Sequence, residues 1–201
     1  ATASETAGTG MEEMRALSEA ALTLVQPTTV GELRARLGRG PVSPDRVLIV
    51  ECWADCYPYR VIARSELQDR MLELYGPDGA GRLQAGDVQT ISYGELDAWL
   101  TAPSDPATEQ TARAVIDATW IVFALVEYNP GSWPASAAVK RFLDAPPTDL
   151  RNKTLVGIAF SSPYHLDSTE ISKLDGYIAV YSKTDPAIAS ALRALFGDIG
   201  A

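Results

Sequence analysis

Three long apolar runs stand out in the hydrophobic pattern of the chain, and they predict the central strands of a sheet. These runs are Arg46–Glu51, Thr119–Glu127 and Thr154–Phe160. A strand that is covered by helices on both faces is apolar at nearly every position, whereas a strand with one wet face alternates. Three shorter segments predict further strands: Leu22–Gln26, Asp87–Ile91 and Tyr177–Tyr181. The second of these alternates, which indicates a place near the sheet edge.

Amphipathic segments with capping residues lie between these strands and predict helices. In the last of them we expect Asp185 to cap the helix, Pro186 to take its first position and Gly197 to end it. Ser65 and Ser132 are expected to cap two earlier helices. The predicted helices are Glu12–Ala21, Glu66–Tyr75, Tyr93–Leu100, Thr108–Asp117, residues 132–143, Leu166–Leu174 and residues 185–196, with a helical turn at Val30–Leu37.

This alternation of strands and helices predicts an α/β fold. Right-handed crossovers between parallel strands place helices on both faces of the sheet. We therefore expect a three-layer α/β/α sandwich with a mostly parallel sheet of about six strands, flavodoxin-like overall. Residues 1–10 are small and polar and are interpreted as a linker or arm, and residues 11–201 as a single α/β sandwich domain.

Composition supports a globular domain and argues against two classes of partner. Hydrophobic residues make up 46% of the 201 residues and charged residues 21%, which is enough for a full core. The net charge of −9 disfavours nucleic acid and anionic membrane surfaces, because phosphate binding needs a basic face. No apolar run approaches the roughly 20 residues of a transmembrane segment. A cytoplasmic and a secreted location both stay open.

The chain offers few groups for metal or cofactor chemistry. Its only cysteines are Cys52 and Cys56 and its only histidine is His165, a poor ligand set for structural zinc. We interpret the cysteines as small, partly buried thiols, although their redox state stays open. The phosphate-binding loop, the dinucleotide fingerprint and the nucleophile elbow are all missing from the sequence. No cofactor, no metal and no catalytic residue are therefore predicted.

Candidate contact residues follow the three long strands, because open α/β sheets bind ligands at the carboxyl ends of their strands. Either a ligand crevice or a docking face for another domain fits this position, and ordinary strand-to-helix turns are the alternative. The candidates are Trp53, Asp55, Glu127, Asn129, Tyr164 and His165. His165 could act as a general base, but a loop or capping role is favoured because no nucleophile is evident beside it.

Paired carboxyl groups, which glycosidases need about 5–10 Å apart, cannot be identified from the sequence. Glu51, Asp55 and Glu127 all lie near predicted strand ends. Nothing in their spacing singles out a pair with that geometry.

Four stretches resemble the C-terminal α/β domain of family 3 glycoside hydrolases, especially their β-N-acetylhexosaminidase-like branch. RALSEAALTLVQ resembles the helix and strand that enter this domain, and TWIVFALVEYNPGSWPASAAVKRFL its central strand, turn and helix. KTLVGIAFSSPYHL and GYIAVYSKTDPAIASALRALFGDI resemble the next strand with its Pro-Tyr turn and the closing strand and helix. The resemblance covers most of residues 12–199, with residues 52–117 much less similar.

The resemblance implies an enzyme that removes a terminal β-linked sugar, commonly N-acetylglucosamine. In that branch, the nucleophilic Asp and the His-containing acid/base loop belong to an N-terminal (β/α)8 barrel. A barrel alone takes about 250 residues, more than this chain has. Other branches place an acid/base Glu on the C-terminal domain, but residues 126–131 do not match that acidic segment. The expectation is thus a non-catalytic C-terminal domain, present as a fragment, with the barrel as its partner and carbohydrate as a further ligand class.

Two other functions stay open. One is a stand-alone module that binds a sugar or a peptide at the strand ends. The other is a flavodoxin-like signalling or nucleotide domain, which the missing phosphate loop and acceptor Asp disfavour.

Overall fold

A six-stranded sheet forms the centre of the computed structural model, which describes residues 3–52, 66–126 and 128–199. The strands are β1 Thr23–Gln26, β2 Val47–Glu51, β3 Val88–Ser92, β4 Trp120–Leu125, β5 Thr154–Ala159 and β6 Gly176–Ala179. Their order across the sheet is β1-β6-β5-β4-β2-β3. The five strands from β2 to β6 are mutually parallel, and β1 pairs with β6 in the antiparallel sense. The predicted α/β class and mostly parallel sheet are confirmed.

Helices cover both faces of this sheet and fall into two groups by their contacts. The α-helices are α1 Ala3–Ala21, α2 Val30–Leu37, α3 Glu66–Tyr75, α4 Tyr93–Thr101, α5 Glu109–Asp117, α6 Ala138–Asp144, α7 Ser168–Ile171 and α8 Asp185–Leu195. Helix α8 packs against α1 and α3, whereas α4 packs against α5 and α6, and α6 also contacts α7. Short 3-10 helices at Ala85–Asp87, Pro106–Thr108 and Pro134–Ala137 complete the connections.

Burial of the central strands matches their composition. Every residue of β2, β4 and β6 is buried, and so are all residues of β5 except Thr154. Strand β3, which forms one sheet edge, has an exposed position at Gln89. Continuous apolar runs therefore became the inner strands and the alternating segment became an edge, as the pattern predicts.

Strand order reverses between β2 and β4, and this reversal marks where a crevice can form. The chain leaves β2 for its neighbour β3 on one side and then crosses to β4 on the other side. In open α/β sheets, the loops that diverge at such a point leave a gap outside the carboxyl ends of the strands. Glu51, at the end of β2, is fully buried at this position.

The starts and capping residues of the helices were only partly predicted. Helix α1 begins at Ala3, nine residues before the predicted start at Glu12. Ser132 caps no helix, because the chain first forms the 3-10 turn Pro134–Ala137 and α6 starts only at Ala138. Asp185 is the first residue of α8 rather than its cap, which is Thr184. Ser65 lies outside the described residues, and the division into an arm and a domain stays a prediction.

Candidate functional site at the carboxyl edge

Three of the six candidate residues lie in the described part of the chain, at the carboxyl edge of the sheet. Asn129 follows β4, and Tyr164 and His165 follow β5. Trp53, Asp55 and Glu127 lie outside the described residues, so their roles stay predictions. The loop of residues 161–167 connects β5 to α7, and we refer to it as the β5 loop.

The imidazole of His165 contacts the hydroxyl of Ser161 inside the β5 loop. His165 Nε2 lies 2.9 Å from Ser161 Oγ, and the same hydroxyl donates a hydrogen bond to the carbonyl of Val126. A hydroxyl therefore does lie beside the histidine, which the sequence spacing did not reveal. The contact ties the β5 loop to the end of β4, because Val126 directly follows that strand.

The direction of these hydrogen bonds argues against an activated serine. A backbone carbonyl can only accept, so the single proton of Ser161 is directed to Val126. His165 must then carry its proton on Nε2 and donate it to Ser161 Oγ. A general base would instead accept the serine proton. The pair is arranged as a structural link within the β5 loop.

Burial shifts the pKa values of two rings at the β5 loop, His165 and Tyr177. Burial lowers the pKa of His165, because the protonated imidazolium loses hydration. Burial also raises the pKa of Tyr177, with a smaller contribution from Tyr181. Both pKa shifts favour the neutral form of the side chain, so neither His165 nor Tyr177 is ionised near neutral pH.

A partly buried ion pair holds the end of the β5 loop that leads into α7. Lys140 Nζ, on α6, lies 2.5 Å from Glu170 Oε2, and Glu170 is only 1% exposed. Lys140 also donates to the carbonyl of His165 over 3.4 Å. Glu170 and Asp167 form a reciprocal capping box that starts α7. One lysine thus connects α6, α7 and the β5 loop.

Tyr177, on β6, holds the β5 loop through a hydrogen bond. Its hydroxyl donates a 2.8 Å hydrogen bond to the carbonyl of Pro163, and its ring is fully buried in β6. Gly157 on β5 leaves the space for this ring, because a Cβ there would lie 2.9 Å from Tyr177 Cδ2. The absence of a side chain at Gly157 therefore makes room for the ring of Tyr177 on the neighbouring strand.

Three exposed tyrosines follow the carboxyl ends of β4, β5 and β6, and we call Tyr128, Tyr164 and Tyr181 the tyrosine face. Their exposed fractions are 42%, 88% and 50%. Lys140 Nζ lies 5.3 Å from the ring centre of Tyr128. Tyr181 has φ of 54°, a left-handed conformation that non-glycine residues rarely adopt. Such strain persists only where the surrounding structure holds it, and it concentrates at functional positions.

Asn129 shapes the turn after β4. Its backbone N–H donates to Ser136 Oγ over 3.0 Å, and its side-chain oxygen accepts from the backbone N–H of Ser132 over 3.3 Å. Trp133 extends this turn inward and stacks against Tyr93 with ring centres 5.8 Å apart. The side-chain oxygen of Asn129 is thus already used within its own turn.

Groups for catalysis or metal binding are sparse in the described residues. Of the carboxylates considered for glycosidase chemistry, only Glu51 is described there, and it is buried at the strand reversal. No group of three or more His, Cys, Asp or Glu side chains in residues 3–52, 66–126 and 128–199 could hold a metal ion. The same part of the chain has no helix with both the length and the apolar character needed to span a membrane.

A cleft of about 440 Å³ opens at the opposite, amino edge of the sheet. Arg46 lines it, and its Nη1 donates to the carbonyl of Gly86 over 2.6 Å and lies 3.5 Å from Asp87 Oδ1. Asp87 also accepts from the backbone N–H of Gln84 over 2.8 Å. These contacts close the turn before β3, so we interpret the cleft as structural.

Solved structures share this fold over nearly the whole chain. A family 3 β-N-acetylglucosaminidase from Paenibacillus sp. FPU-7 matches 92% of the chain with a TM-score of 0.56 at 17% identity. A fungal multi-domain family 3 β-N-acetylglucosaminidase matches 92% with a TM-score of 0.55 at 19% identity. A β-glucosidase from Listeria innocua matches 92% with a TM-score of 0.52 at 14% identity.

The chain therefore has a family 3 glycoside hydrolase C-terminal-like fold. It covers 30%, 17% and 25% of the three solved chains, which is less than a third of each. No family model and no curated protein matches the sequence. The resemblance stated from the sequence is thus confirmed for this fold, which sits in larger proteins among its structural relatives.

Sequence reasoning missed the residues that hold this candidate site together. Lys140 and Glu170 lie 30 positions apart, so no local pattern relates them. Tyr181 was part of a predicted strand, yet β6 ends at Ala179 and Tyr181 follows it in a strained turn. A capping-box pattern at Asp167 and Glu170 was visible in the sequence and would have placed the start of α7.

Proposed function

We propose that this chain is a non-catalytic domain of a glycoside hydrolase resembling β-N-acetylhexosaminidases. The hydrolysis of terminal β-linked N-acetylglucosamine is assigned to a (β/α)8 barrel domain outside this chain. The observation that carries the proposal is the fold itself, which matches 92% of the chain but at most 30% of a β-N-acetylglucosaminidase. Of the three relatives described above, the two with the higher TM-scores are β-N-acetylglucosaminidases, which supports this branch.

The chemistry of the described carboxyl edge supports a non-catalytic role. Ser161 directs its proton to a backbone carbonyl, and His165 acts as a donor to that serine. Glu170 is held by Lys140 and by the start of α7. Each of these groups has a structural partner, so none of them is poised as a nucleophile or a general base.

An activity assay tests this division of labour. The isolated chain should not hydrolyse a chromogenic β-N-acetylglucosaminide, whereas the complete product of the gene should. Turnover by the isolated chain would contradict a non-catalytic role. If the complete gene product hydrolysed a β-glucoside but not the N-acetylglucosaminide, the proposed branch would be contradicted and the domain role would stay intact.

The second candidate is a stand-alone module that binds a sugar or a peptide at the carboxyl edge. Its support is the tyrosine face, because aromatic rings at strand ends can stack on apolar sugar faces or on peptide side chains. Calorimetric titration of the chain with N-acetylglucosamine oligosaccharides tests the sugar arm. Saturable binding that is lost in Asn129→Ala, Tyr164→Ala or His165→Ala would favour this candidate over the first.

A further inference from the structure

We propose that the outer side of β3, the side that faces away from β2, is a latent pairing site for a second copy of this chain, and that the side chains of Gln68 and Glu95 keep it closed. Strand β3 is the last strand of the sheet, and within the described residues it pairs with β2 alone. The proposal is independent of the proposed function, because this side of the sheet is distinct from the carboxyl edge.

The composition of β3 is suited to pairing with another strand. Its five residues, Val88–Ser92, are VQTIS and include no charged residue, no proline and no glycine. All five pair with β2 in an unbroken register, so the strand is regular along its whole length. Natural sheets protect an edge strand with charges, prolines or bulges, or cover it, because its unpaired N–H and C=O groups invite another strand. Strand β3 itself has no charge, proline or bulge, so its protection must come from other elements.

Two side chains from neighbouring helices occupy backbone groups of β3. Gln68 Nε2, on α3, donates to the carbonyl of Val88 over 3.4 Å. Glu95 Oε2, on α4, accepts from the backbone N–H of Ser92 over 2.6 Å. Successive residues of a strand direct their backbone groups to opposite sides, so Val88, Thr90 and Ser92 share one side. Because side chains rather than β2 bind these groups, that side is the outer one.

Both side chains are held in place by a second contact. The hydroxyl of Thr90 donates to Gln68 Oε1 over 2.7 Å, so the amide of Gln68 lies along the strand from Val88 to Thr90. The backbone N–H of Glu95 donates to Ser92 Oγ over 3.0 Å, which completes the capping box that begins α4. The two groups therefore cover the outer side of β3 at both of its ends.

A two-fold pairing centred on Thr90 shows what these side chains exclude. Two identical strands that meet across a two-fold axis run antiparallel, and residues at equal distances from the centre face each other. Thr90 would exchange hydrogen bonds with its counterpart, and the N–H of Ser92 would donate to the carbonyl of Val88 in the other copy. Glu95 and Gln68 occupy this donor and this acceptor. They thus block the outer hydrogen bonds of the pairing and leave only the central pair.

A second copy of the chain is the occupant that fits this strand. The centred pairing is self-complementary, because it brings donors to acceptors and places the uncharged side chains of β3 opposite one another. Each copy carries a net charge of −9, so long-range repulsion opposes the encounter and added salt screens it. Association through an opened β3 should therefore increase with ionic strength.

The test measures self-association of the chain and its variants by sedimentation equilibrium. The double variant Gln68→Ala/Glu95→Ala frees both backbone groups and should self-associate at least about tenfold more tightly than the wild type. Adding Gln89→Glu should reverse this association, because Gln89 is exposed on β3 and each copy then brings a carboxylate to the pair. Asp167→Ala is the matched control, since it also removes one carboxylate and one capping box but lies far from β3 in the sequence, at the start of α7.

Each outcome supports or overturns the proposal. Association of the double variant that is absent in Asp167→Ala and reversed by Gln89→Glu supports the closed pairing site. A folded double variant that associates no more tightly than the wild type overturns it. Association that Gln89→Glu leaves unchanged places the contact elsewhere and also overturns it. A wild-type chain that already associates and is dissociated by Gln89→Glu alone would show that the two side chains do not close the site.

Amide hydrogen exchange separates strand pairing from association through unfolding. In the associated double variant, the N–H of Thr90 should exchange more slowly than in the wild-type chain, because it then donates across the pair. An associated variant without this protection would overturn the pairing. If the double variant does not fold, Gln68→Leu keeps the side-chain volume and frees the Val88 carbonyl alone. This variant should associate more tightly than the wild type by a smaller factor, and unchanged association would overturn the role of Gln68.

Discussion

The hydroxyl of Tyr177 donates a 2.8 Å hydrogen bond to the carbonyl of Pro163, and this contact connects the last strand to the exposed β5 loop. The tyrosine ring is fully buried, while Tyr164, which follows Pro163, is the most exposed large hydrophobic side chain among the described residues. The buried Tyr177 thereby supports the loop that carries the exposed Tyr164.

Removing this hydroxyl should loosen the loop. In Tyr177→Phe the Pro163 carbonyl loses its donor, and we expect a loss of about 1 kcal/mol in the free energy of unfolding. Urea denaturation measures the loss, and faster amide exchange in the β5 loop would locate it. Tyr164→Phe is the control, because that side chain is 88% exposed and its hydroxyl should not affect stability. Equal stability of the two variants would contradict the supporting role of Tyr177.

Gly157 should not tolerate even a methyl group. A Cβ at this position would lie 2.9 Å from Tyr177 Cδ2 and 3.1 Å from Leu174 Cδ1, so Gly157→Ala forces two packed side chains to move. The expected cost is about 1–3 kcal/mol in the free energy of unfolding. Gly31→Ala is the matched control, since Gly31 lies in α2 with nothing within 4 Å and alanine favours a helix. A neutral Gly157→Ala variant would show that the two strands can separate without cost.

The pair of Lys140 and Glu170 offers a double-mutant cycle. Lys140→Met leaves a carboxylate that is 1% exposed without its cation, and we expect a destabilisation of about 3 kcal/mol. Glu170→Gln keeps the capping box, which accepts either residue type, and removes the charge. The double variant Lys140→Met/Glu170→Gln should therefore recover much of the stability that Lys140→Met loses. Additive losses in the double variant would contradict direct coupling between the two side chains.

Stability should also depend on the charge of His165. Burial lowers the pKa of this histidine in the folded state, so the unfolded chain binds the proton more readily. The free energy of unfolding should be highest above the unfolded value of about 6.5 and fall as the pH drops toward the lowered folded pKa. His165 is the only histidine in the chain, which makes the assignment direct.

Urea denaturation at about pH 7.5 and about pH 5.5 checks this prediction. His165→Gln should flatten the dependence between these values, because an amide can still donate to Ser161 but does not titrate. An unchanged slope in this variant would assign the pH dependence to other groups.

The sequence predicted the inner part of the sheet well because that part is governed by burial alone. Strands β2, β4 and β5 are apolar at nearly every position, and such runs have few alternatives to a central parallel strand. The direction of β1 could not be predicted in the same way. Its four residues carry no signal for the antiparallel pairing with β6, because the strand is short and its partner lies far along the sequence.

Prediction of the candidate site was limited by contacts that are distant in sequence. The position of Tyr164 and His165 at a strand end followed from the fold class. Their support did not, because Lys140 and Tyr177 reach the loop from other elements. Ser132 failed as a helix cap for a related reason: the backbone of the turn is held by Asn129, so the helix starts later.

Strand β1 also affects how this protein behaves at high concentration. It is four residues long, its register with β6 shifts between Leu24 and Gln26, and Pro27 follows directly. A short, irregular edge that ends in proline is a poor template for a strand from another molecule, because it offers few regularly spaced N–H and C=O groups. Intermolecular strand pairing, a common route to aggregation, is therefore disfavoured on this side of the sheet.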